Sequence, residues 1–114
     1  MERQSAPVLQ QILEAIVGIE FATQGLGFIG FREDWVVRHA VQRAIEIISE
    51  ASRRLPDTLT ATEPGIPWRK VKGVGNILRH EYHKVQDEII WEVVEKHLPP
   101  LKAAILRMLE RADS

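Results

Sequence analysis

The sequence predicts an all-α protein, an antiparallel bundle of four to five helices. Apolar residues recur every three or four positions in each long segment, whereas no segment alternates convincingly between polar and apolar residues. Proline and glycine fall between these segments, where they end helices and form short connections. A chain of 114 residues has the usual size of one domain, so we expect a single domain over residues 1–114 with one core.

The first predicted helix begins at Ser5, a residue type that caps helix N-termini, and ends before Gly25. The apolar stretch FIGF at residues 28–31 is expected to be a connector. The second helix is predicted to begin at residues 33–34 and to run for about six turns, until Pro56 ends it.

After a loop predicted for residues 57–66, a third helix is expected from Pro67 through roughly Tyr82. Asp87 is expected to cap a fourth helix, and the prolines at 99–100 fit the first turn of a fifth. The inward-facing positions form the predicted core: Ile12, Ile16, Ile19, Val41, Ile45, Ile48, Ile77, Ile90, Val94 and Leu101.

The composition excludes several classes of function. Fifteen Lys and Arg against sixteen Asp and Glu give a net charge of −1, so any nucleic-acid site has to be a local patch. The chain contains no cysteine, which excludes disulfides and thiolate metal sites. The N-terminus lacks the apolar run of a signal peptide and no segment is long enough to span a membrane. We therefore expect a soluble, cytoplasmic protein without membrane contact.

Residues 69–84 form a basic segment. It contains five Lys and Arg side chains and two histidines against one acid, a formal charge of +4. Its basic residues are Arg69, Lys70, Lys72, Arg79, His80, His83 and Lys84. Such a segment can hold phosphates, or it can be the solvated face of an ordinary helix.

The histidines of this segment do not form a convincing metal site. His80 and His83 are three residues apart, but a zinc site usually needs three or four converging ligands. His39 and His97 can join them only through tertiary structure, so we expect neither a metal nor another cofactor.

The stretch GVG at residues 73–75 lacks the preceding strand and the Gly-Lys-Ser/Thr ending of a phosphate-binding loop. Two glycines within a helix cost about 1 kcal/mol each relative to alanine. We therefore expect another helix, from this chain or from a second subunit, to approach closely at this point.

Four stretches carry a family resemblance: LQQILEAIVGIE, AIEIISEASRRL, IPWRKVKGVGNILRHEY and IIWEVVEKHLPPLKAAI. In this order and spacing they resemble the HepT-like family of the HEPN superfamily, over about residues 7–110, and the block from Trp68 to Tyr82 is the most specific part. The resemblance implies a HEPN-like helical bundle that forms a homodimer, with an active cleft where the two copies of the basic helix meet. It also implies metal-independent cleavage of RNA rather than DNA.

The family motif is an arginine, four to six further residues and a histidine. His80 occupies the histidine position, and Asn76 occupies the polar position after the arginine. The resemblance further implies a partner, an MntA-like minimal nucleotidyltransferase that acts as antitoxin. In such pairs the partner transfers AMP to the tyrosine two positions after the motif histidine, which is Tyr82 here.

The arginine position of the motif holds Gly75, which is a departure from the family pattern. A motif arginine would stabilise the charge that develops on the scissile phosphate, while the histidine transfers a proton. A substitute cation has to come from elsewhere: Arg79 across a dimer axis, or Arg38 or Arg43 of the second helix. The candidate catalytic residues are His80, Asn76 and Arg79.

The other candidates bind phosphate or orient the histidine. The phosphate- and RNA-binding candidates are Arg69, Lys72, Arg79, His83 and Lys84. Glu46 and Glu50 are four residues apart on one face of the second helix, where they either point at His80 and orient it or face solvent.

Three functions follow from these alternatives. The first is a toxin that cleaves RNA despite Gly75, paired with its nucleotidyltransferase antitoxin. The second is a catalytically silent family member that binds a nucleotidyltransferase or RNA. The third is a purely structural helical dimer.

Overall fold

The computed structural model describes residues 5–112, apart from the side chains of Lys84 and Ala112, and this part of the chain contains no strand. Its helices are α1 (Ser5–Thr23), α2 (Phe28–Glu33), α3 (Trp35–Ser52), α4 (Asp57–Thr60), α5 (Trp68–His80), α6 (His83–Glu92) and α7 (Leu98–Ala112). A π-helical turn, Val93–His97, joins the last two. Helix α1 packs on α3 and α7, and α3 also packs on α5. The prediction of an all-α bundle is confirmed.

One core runs through the bundle, and most of its predicted members are buried. These are Ile12, Ile16, Ile19, Val41, Ile45, Ile48, Ile90 and Leu101. Val94 is partly buried against the core. Ile77 is a wrong prediction, because its side chain is 49% exposed. Helix α5 instead turns Gly75 and Leu78 inward, so Ile77 faces away from the core.

Two predicted irregular segments contain short helices. The stretch at residues 28–31 lies in α2 and is not a connector, because Phe31 is fully buried and packs on Trp91 with ring centroids 5.3 Å apart. This tertiary contact stabilises a segment too short to show a helical pattern of its own. Helix α4 likewise lies in the predicted loop at residues 57–66.

The second predicted helix has a different end. The predicted start at residues 33–34 is confirmed: Asp34 caps α3, and its carboxylate accepts a hydrogen bond of 3.0 Å from the Val37 amide. However, α3 ends at Ser52, and Leu55 is buried in the following turn rather than in the helix. Pro56 therefore begins the next helix as its N-cap and does not terminate the previous one.

Asp87 does not cap the fourth predicted helix. Tyr82 occupies the cap position of α6, and Asp87 is buried one turn inside this helix. Its carboxylate faces Arg38 of α3 instead of the backbone of its own helix. The prolines at 99–100 do lie in the first turn of α7, as predicted.

A buried carboxylate fixes the segment before α5 to α7. Glu63 accepts hydrogen bonds from Arg107 Nη2 at 2.6 Å and from Arg111 Nη1 at 3.0 Å. The hydrogen bond from Arg107 is the largest cause of a pKa of Glu63 below its ordinary value of 4.5.

No helix in the described part of the chain is long and apolar enough to cross a membrane.

Candidate active site at the corner between α5 and α6

The predicted site residues cluster where α5 ends and α6 begins. His80 is the last residue of α5, Glu81 and Tyr82 have extended backbones, and His83 opens α6. The Tyr82 side chain is 84% exposed. The two-residue link therefore presents two histidines and a phenol on one corner of the bundle, which we call the HEY corner (residues 80–83).

Helix α5 has one buried and one exposed face. Asn76 and His80 are four residues apart, so they share the exposed face, and Arg69 lies on the same face two turns before Asn76. In the described part of the chain, His80 makes no hydrogen bond or ion pair. Its imidazole is therefore open to contact by a ligand.

At Gly75, α5 lies close against α3. Ser49 Oγ accepts a hydrogen bond of 3.3 Å from the Gly75 amide and donates one of 2.7 Å to the Lys72 carbonyl. A Cβ atom at position 75 would lie 3.2 Å from Ser49 Oγ and 3.3 Å from Ser49 Cβ. The close approach predicted from the glycines therefore exists within one chain, and at Gly75 only, because a Cβ at Gly73 would meet nothing within 4 Å.

Arg79 is four residues after Gly75 and therefore lies on the same side of α5. Helix side chains generally lean towards the N-terminus, which is the direction of Gly75 from the Arg79 side chain. It is exposed, and within the described structure it makes no hydrogen bond or ion pair. Arg79 is thus an available cation one helical turn from the position where the family has its arginine.

Arg38 of α3 contacts the HEY corner from the other side. Its Nη1 atom contacts the His83 imidazole, 3.2 Å from Nδ1, and lies 3.8 Å from the Asp87 carboxylate. Asp87 Oδ2 is also 3.6 Å from His83 Nε2. The Arg38 and Asp87 side chains are only 13% and 5% exposed. This largely buried pair therefore holds the first turns of α6 against α3.

The two carboxylates expected to orient His80 contact another residue in this structure. Arg43 Nη1 lies 3.6 Å from Glu46 Oε1 and 3.8 Å from Glu50 Oε1, and neither carboxylate contacts His80. These residues all belong to α3, where spacings of three, four and seven residues bring side chains to one face. Arg43, one alternative for the missing cation, is therefore paired.

The remaining phosphate-binding candidates are dispersed. Lys72 Nζ lies 3.9 Å from Asp57 Oδ1 near the start of α5, and Arg69 is exposed on the preceding turn. The side chain of Lys84 lies outside the described residues. A groove of about 450 Å³ between α1 and α3 contains none of the candidate site residues in its lining.

The other two histidines lie apart from this corner. His39 donates a hydrogen bond from Nδ1 to the Trp35 carbonyl, and His97 Nε2 lies 3.6 Å from Glu92 Oε1. Among the residues that the structure describes, no group of three or more His, Asp or Glu side chains is arranged to hold a metal ion.

Sequence reasoning missed two contributors to the site. Ser49 is uncharged and belongs to no recognised motif. The only signal in the sequence is the pair of glycines on α5, which predicts the close approach of another helix. The sequence predicts Asp87 as a helix cap, because aspartate is a common cap residue and its buried partner Arg38 is distant in sequence. A polar residue among the apolar positions of α6 was the available signal.

The fold and the HEY corner define a class: small helical-bundle proteins with an exposed histidine site at the end of one helix. A family model described as "Ribonuclease HepT-like" matches residues 12–108, and the chain belongs to this family of the HEPN superfamily. It is 37% identical over 102 residues to a protein of Thermococcus cleftensis named "Probable ribonuclease HepT", covering 90% of this chain and 93% of that one.

Two further relatives are described as candidate RNases. The one from Caldanaerobacter subterraneus subsp. tengcongensis is 32% identical over 105 residues, which are 92% of this chain and 94% of that one. The one from Methanocaldococcus jannaschii is 32% identical over 97 residues, which are 85% and 89% of the two chains. No solved structure matches the chain.

Proposed function

We propose that this protein is the toxin of a toxin–antitoxin pair and a metal-independent endoribonuclease. The observation that carries the proposal is the arrangement of α5 in a ribonuclease family: Arg79 and the following His80 are both exposed, and neither side chain has a partner among the described residues. A histidine and a nearby cation are the groups that cleavage of a phosphodiester next to a 2′-hydroxyl requires.

The reaction needs two proton transfers. A base removes the proton of the 2′-hydroxyl as its oxygen bonds to phosphorus, the bond from phosphorus to the 5′-oxygen breaks, and an acid protonates that oxygen. The products are a 2′,3′-cyclic phosphate and a 5′-hydroxyl. Arg79 is the candidate to bind the non-bridging phosphate oxygens, whose charge increases in the transition state, and Asn76 can position the same phosphate.

Among its described residues, each copy of the chain offers one imidazole without a hydrogen-bond or ion-pair partner for these two proton transfers. His39 donates to a backbone carbonyl, His83 contacts Arg38 and Asp87, and His97 faces Glu92, whereas His80 has no partner. This favours a homodimer in which His80 of one copy is the base and His80 of the other is the acid. Arg79 of both copies would then lie at the same cleft.

Tyr82 is the proposed site of control by an MntA-like nucleotidyltransferase. Its side chain is 84% exposed at the HEY corner, so a partner enzyme can reach the phenol. The phenol oxygen would attack the α-phosphorus of ATP, pyrophosphate would leave, and Tyr82 would carry AMP. The new phosphodiester adds about one negative charge near Arg79 and His80, which repels an RNA phosphate.

A second function, a catalytically silent partner of a nucleotidyltransferase or RNA, is favoured by Gly75. The space beside this glycine is filled by Ser49, so the position of the motif arginine carries no cation. In this case Arg79 and His80 would bind phosphate without cleaving RNA.

Cleavage of single-stranded RNA in the presence of EDTA separates the two functions. We expect the wild-type protein to cleave, His80→Ala to be inactive and Arg79→Ala to lose roughly 10²–10³-fold in rate. His97→Ala is the matched control, because His97 is also exposed but lies away from the HEY corner. Binding of RNA without cleavage by the wild-type dimer would contradict the toxin and support the silent partner.

A further inference from the structure

An exposed pair of stacked rings lies at the first turn of α3. Trp35 opens the helix with 64% of its surface exposed, although tryptophan side chains are usually well buried. The rings of Trp35 and His39 are stacked, with centroids 4.0 Å apart and planes 29° apart. His39 Nδ1 donates a hydrogen bond of 2.7 Å to the Trp35 carbonyl, which fixes the imidazole beneath the indole.

This pair is next to the HEY corner. Arg38 lies between the two rings in sequence, and its guanidinium contacts His83, the last residue of the corner. Residues three apart on a helix have Cβ atoms about 5–6 Å from each other, so Trp35 and Arg38 are neighbours on α3. One arginine side chain therefore separates the stacked rings from the segment that carries His80 and Tyr82.

We propose that Trp35, held by His39, is a binding site for one base of single-stranded RNA, beside the phosphate that is cleaved. The inference rests on the proposed RNA substrate and adds a subsite to it. Single-stranded RNA is bound by stacking its bases on aromatic side chains while cations hold its phosphates. Every base has a flat π-face, so this site would accept any base and would not define a sequence.

The chemistry of the surroundings favours a nucleic acid over an apolar protein partner. Next to the rings, the exposed His83 imidazole can donate to a phosphate, whereas Arg38 is largely buried between His83 and Asp87. Both neighbouring aspartates are engaged: the Asp34 carboxylate accepts from the Val37 amide, and the buried Asp87 carboxylate faces Arg38 and His83. A protein partner would instead use the aliphatic Val36, which is 68% exposed on the same turn. Val36 therefore distinguishes the two occupants.

The test measures binding of a fluorescein-labelled, single-stranded 2′-O-methyl RNA, which has no free 2′-hydroxyl and cannot be cleaved. We expect Trp35→Leu to weaken binding roughly tenfold, because stacking on one base accounts for about that factor. Trp35→Phe should retain most of the affinity, and Val36→Ala should leave it unchanged. An unlabelled duplex of the same sequence should compete poorly, because its bases are not available for stacking.

Other results would overturn the inference. Equal losses of RNA affinity from Trp35→Leu and Val36→Ala indicate a general effect on this turn rather than stacking on Trp35, and a lower molar mass of Trp35→Leu in light scattering indicates a subunit interface. If Arg79→Ala loses affinity while Trp35→Leu does not, the base site is wrong and the RNA substrate remains. If the wild-type protein does not bind this RNA, both proposals fail.

Discussion

Ser49 and Gly75 join α3 and α5 at a close contact, where the serine hydroxyl accepts a hydrogen bond of 3.3 Å from the glycine amide. The same hydroxyl donates to the Lys72 carbonyl, so it bridges two turns of α5. The family motif has an arginine at the glycine position. In this chain the contact occupies the space that the first atoms of such a side chain would need.

The two glycines of α5 should therefore respond oppositely to alanine. Gly73→Ala places its Cβ in open space and should stabilise the protein by about 0.5–1 kcal/mol, the usual gain in helix propensity. Gly75→Ala places its Cβ 3.2 Å from Ser49 Oγ. Ser49 is buried and its hydroxyl makes two hydrogen bonds, so moving it away costs free energy. Urea denaturation should show no gain, or a loss, for Gly75→Ala. Equal gains for both variants would contradict the close contact.

The buried pair of Arg38 and Asp87 should be sensitive to removal of one partner. Asp87→Leu leaves the Arg38 charge largely buried without its carboxylate, which should lower the free energy of unfolding by about 3–5 kcal/mol. The double variant Arg38→Met/Asp87→Leu should recover most of this loss, because both charges are then absent.

The control for that pair is an exposed ion pair. Lys102 Nζ lies 2.9 Å from Glu20 Oε1, with side chains 33% and 49% exposed, so Glu20→Gln should cost less than about 1 kcal/mol. If denaturant titrations show similar losses of unfolding free energy for Glu20→Gln and Asp87→Leu, the pair of Arg38 and Asp87 is effectively solvated.

Glu63 should make stability depend on acid pH. Hydrogen bonds from Arg107 hold its pKa below the ordinary value of 4.5, so the ionised form stabilises the fold. This contribution is complete above the unfolded pKa and is lost as the pH falls through the lower, folded pKa. Glu63→Gln should therefore be less stable at neutral pH and lose less stability on acidification. Glu88→Gln, at an exposed position, should follow the wild-type curve in thermal melts from pH 7 to acid.

Tyr82 should be the acceptor of AMP when the cognate nucleotidyltransferase and ATP are added. The chain has one tyrosine, so an AMP adduct on a tyrosine is located without ambiguity. The adduct should abolish RNA cleavage, and Tyr82→Phe should cleave RNA but resist inactivation. Peptide mass spectrometry that finds AMP elsewhere, or nowhere, would remove Tyr82 from the account.

The helical pattern predicted the long helices and most of the core, because the buried stripes of α1 and α3 repeat regularly. It did not predict α2, whose helix depends on the contact between Phe31 and Trp91. It also placed Ile77 inside, but α5 turns Val71, Val74, Gly75 and Leu78 towards the core and α3, which leaves Ile77 on the exposed side.

The family motif predicted the site residues His80 and Asn76 on α5 and Tyr82 at the HEY corner. It did not predict the charged residues that pair around them. The pairing of Arg43 with Glu46 and Glu50, and the link from Arg38 to Asp87, join residues whose partners are chosen by packing. Sequence spacing alone does not distinguish these cations from Arg79, which is unpaired in the described structure.

In the proposed function, RNA cleavage uses His80 from two copies of the chain at one cleft. The most direct measurement is the cleavage rate of mixed dimers, made by unfolding and refolding wild-type protein with increasing shares of His80→Ala at constant total concentration. The cleavage rate should fall with the square of the wild-type fraction, because only dimers with His80 in both copies supply both base and acid. A rate that falls in direct proportion to that fraction would contradict it.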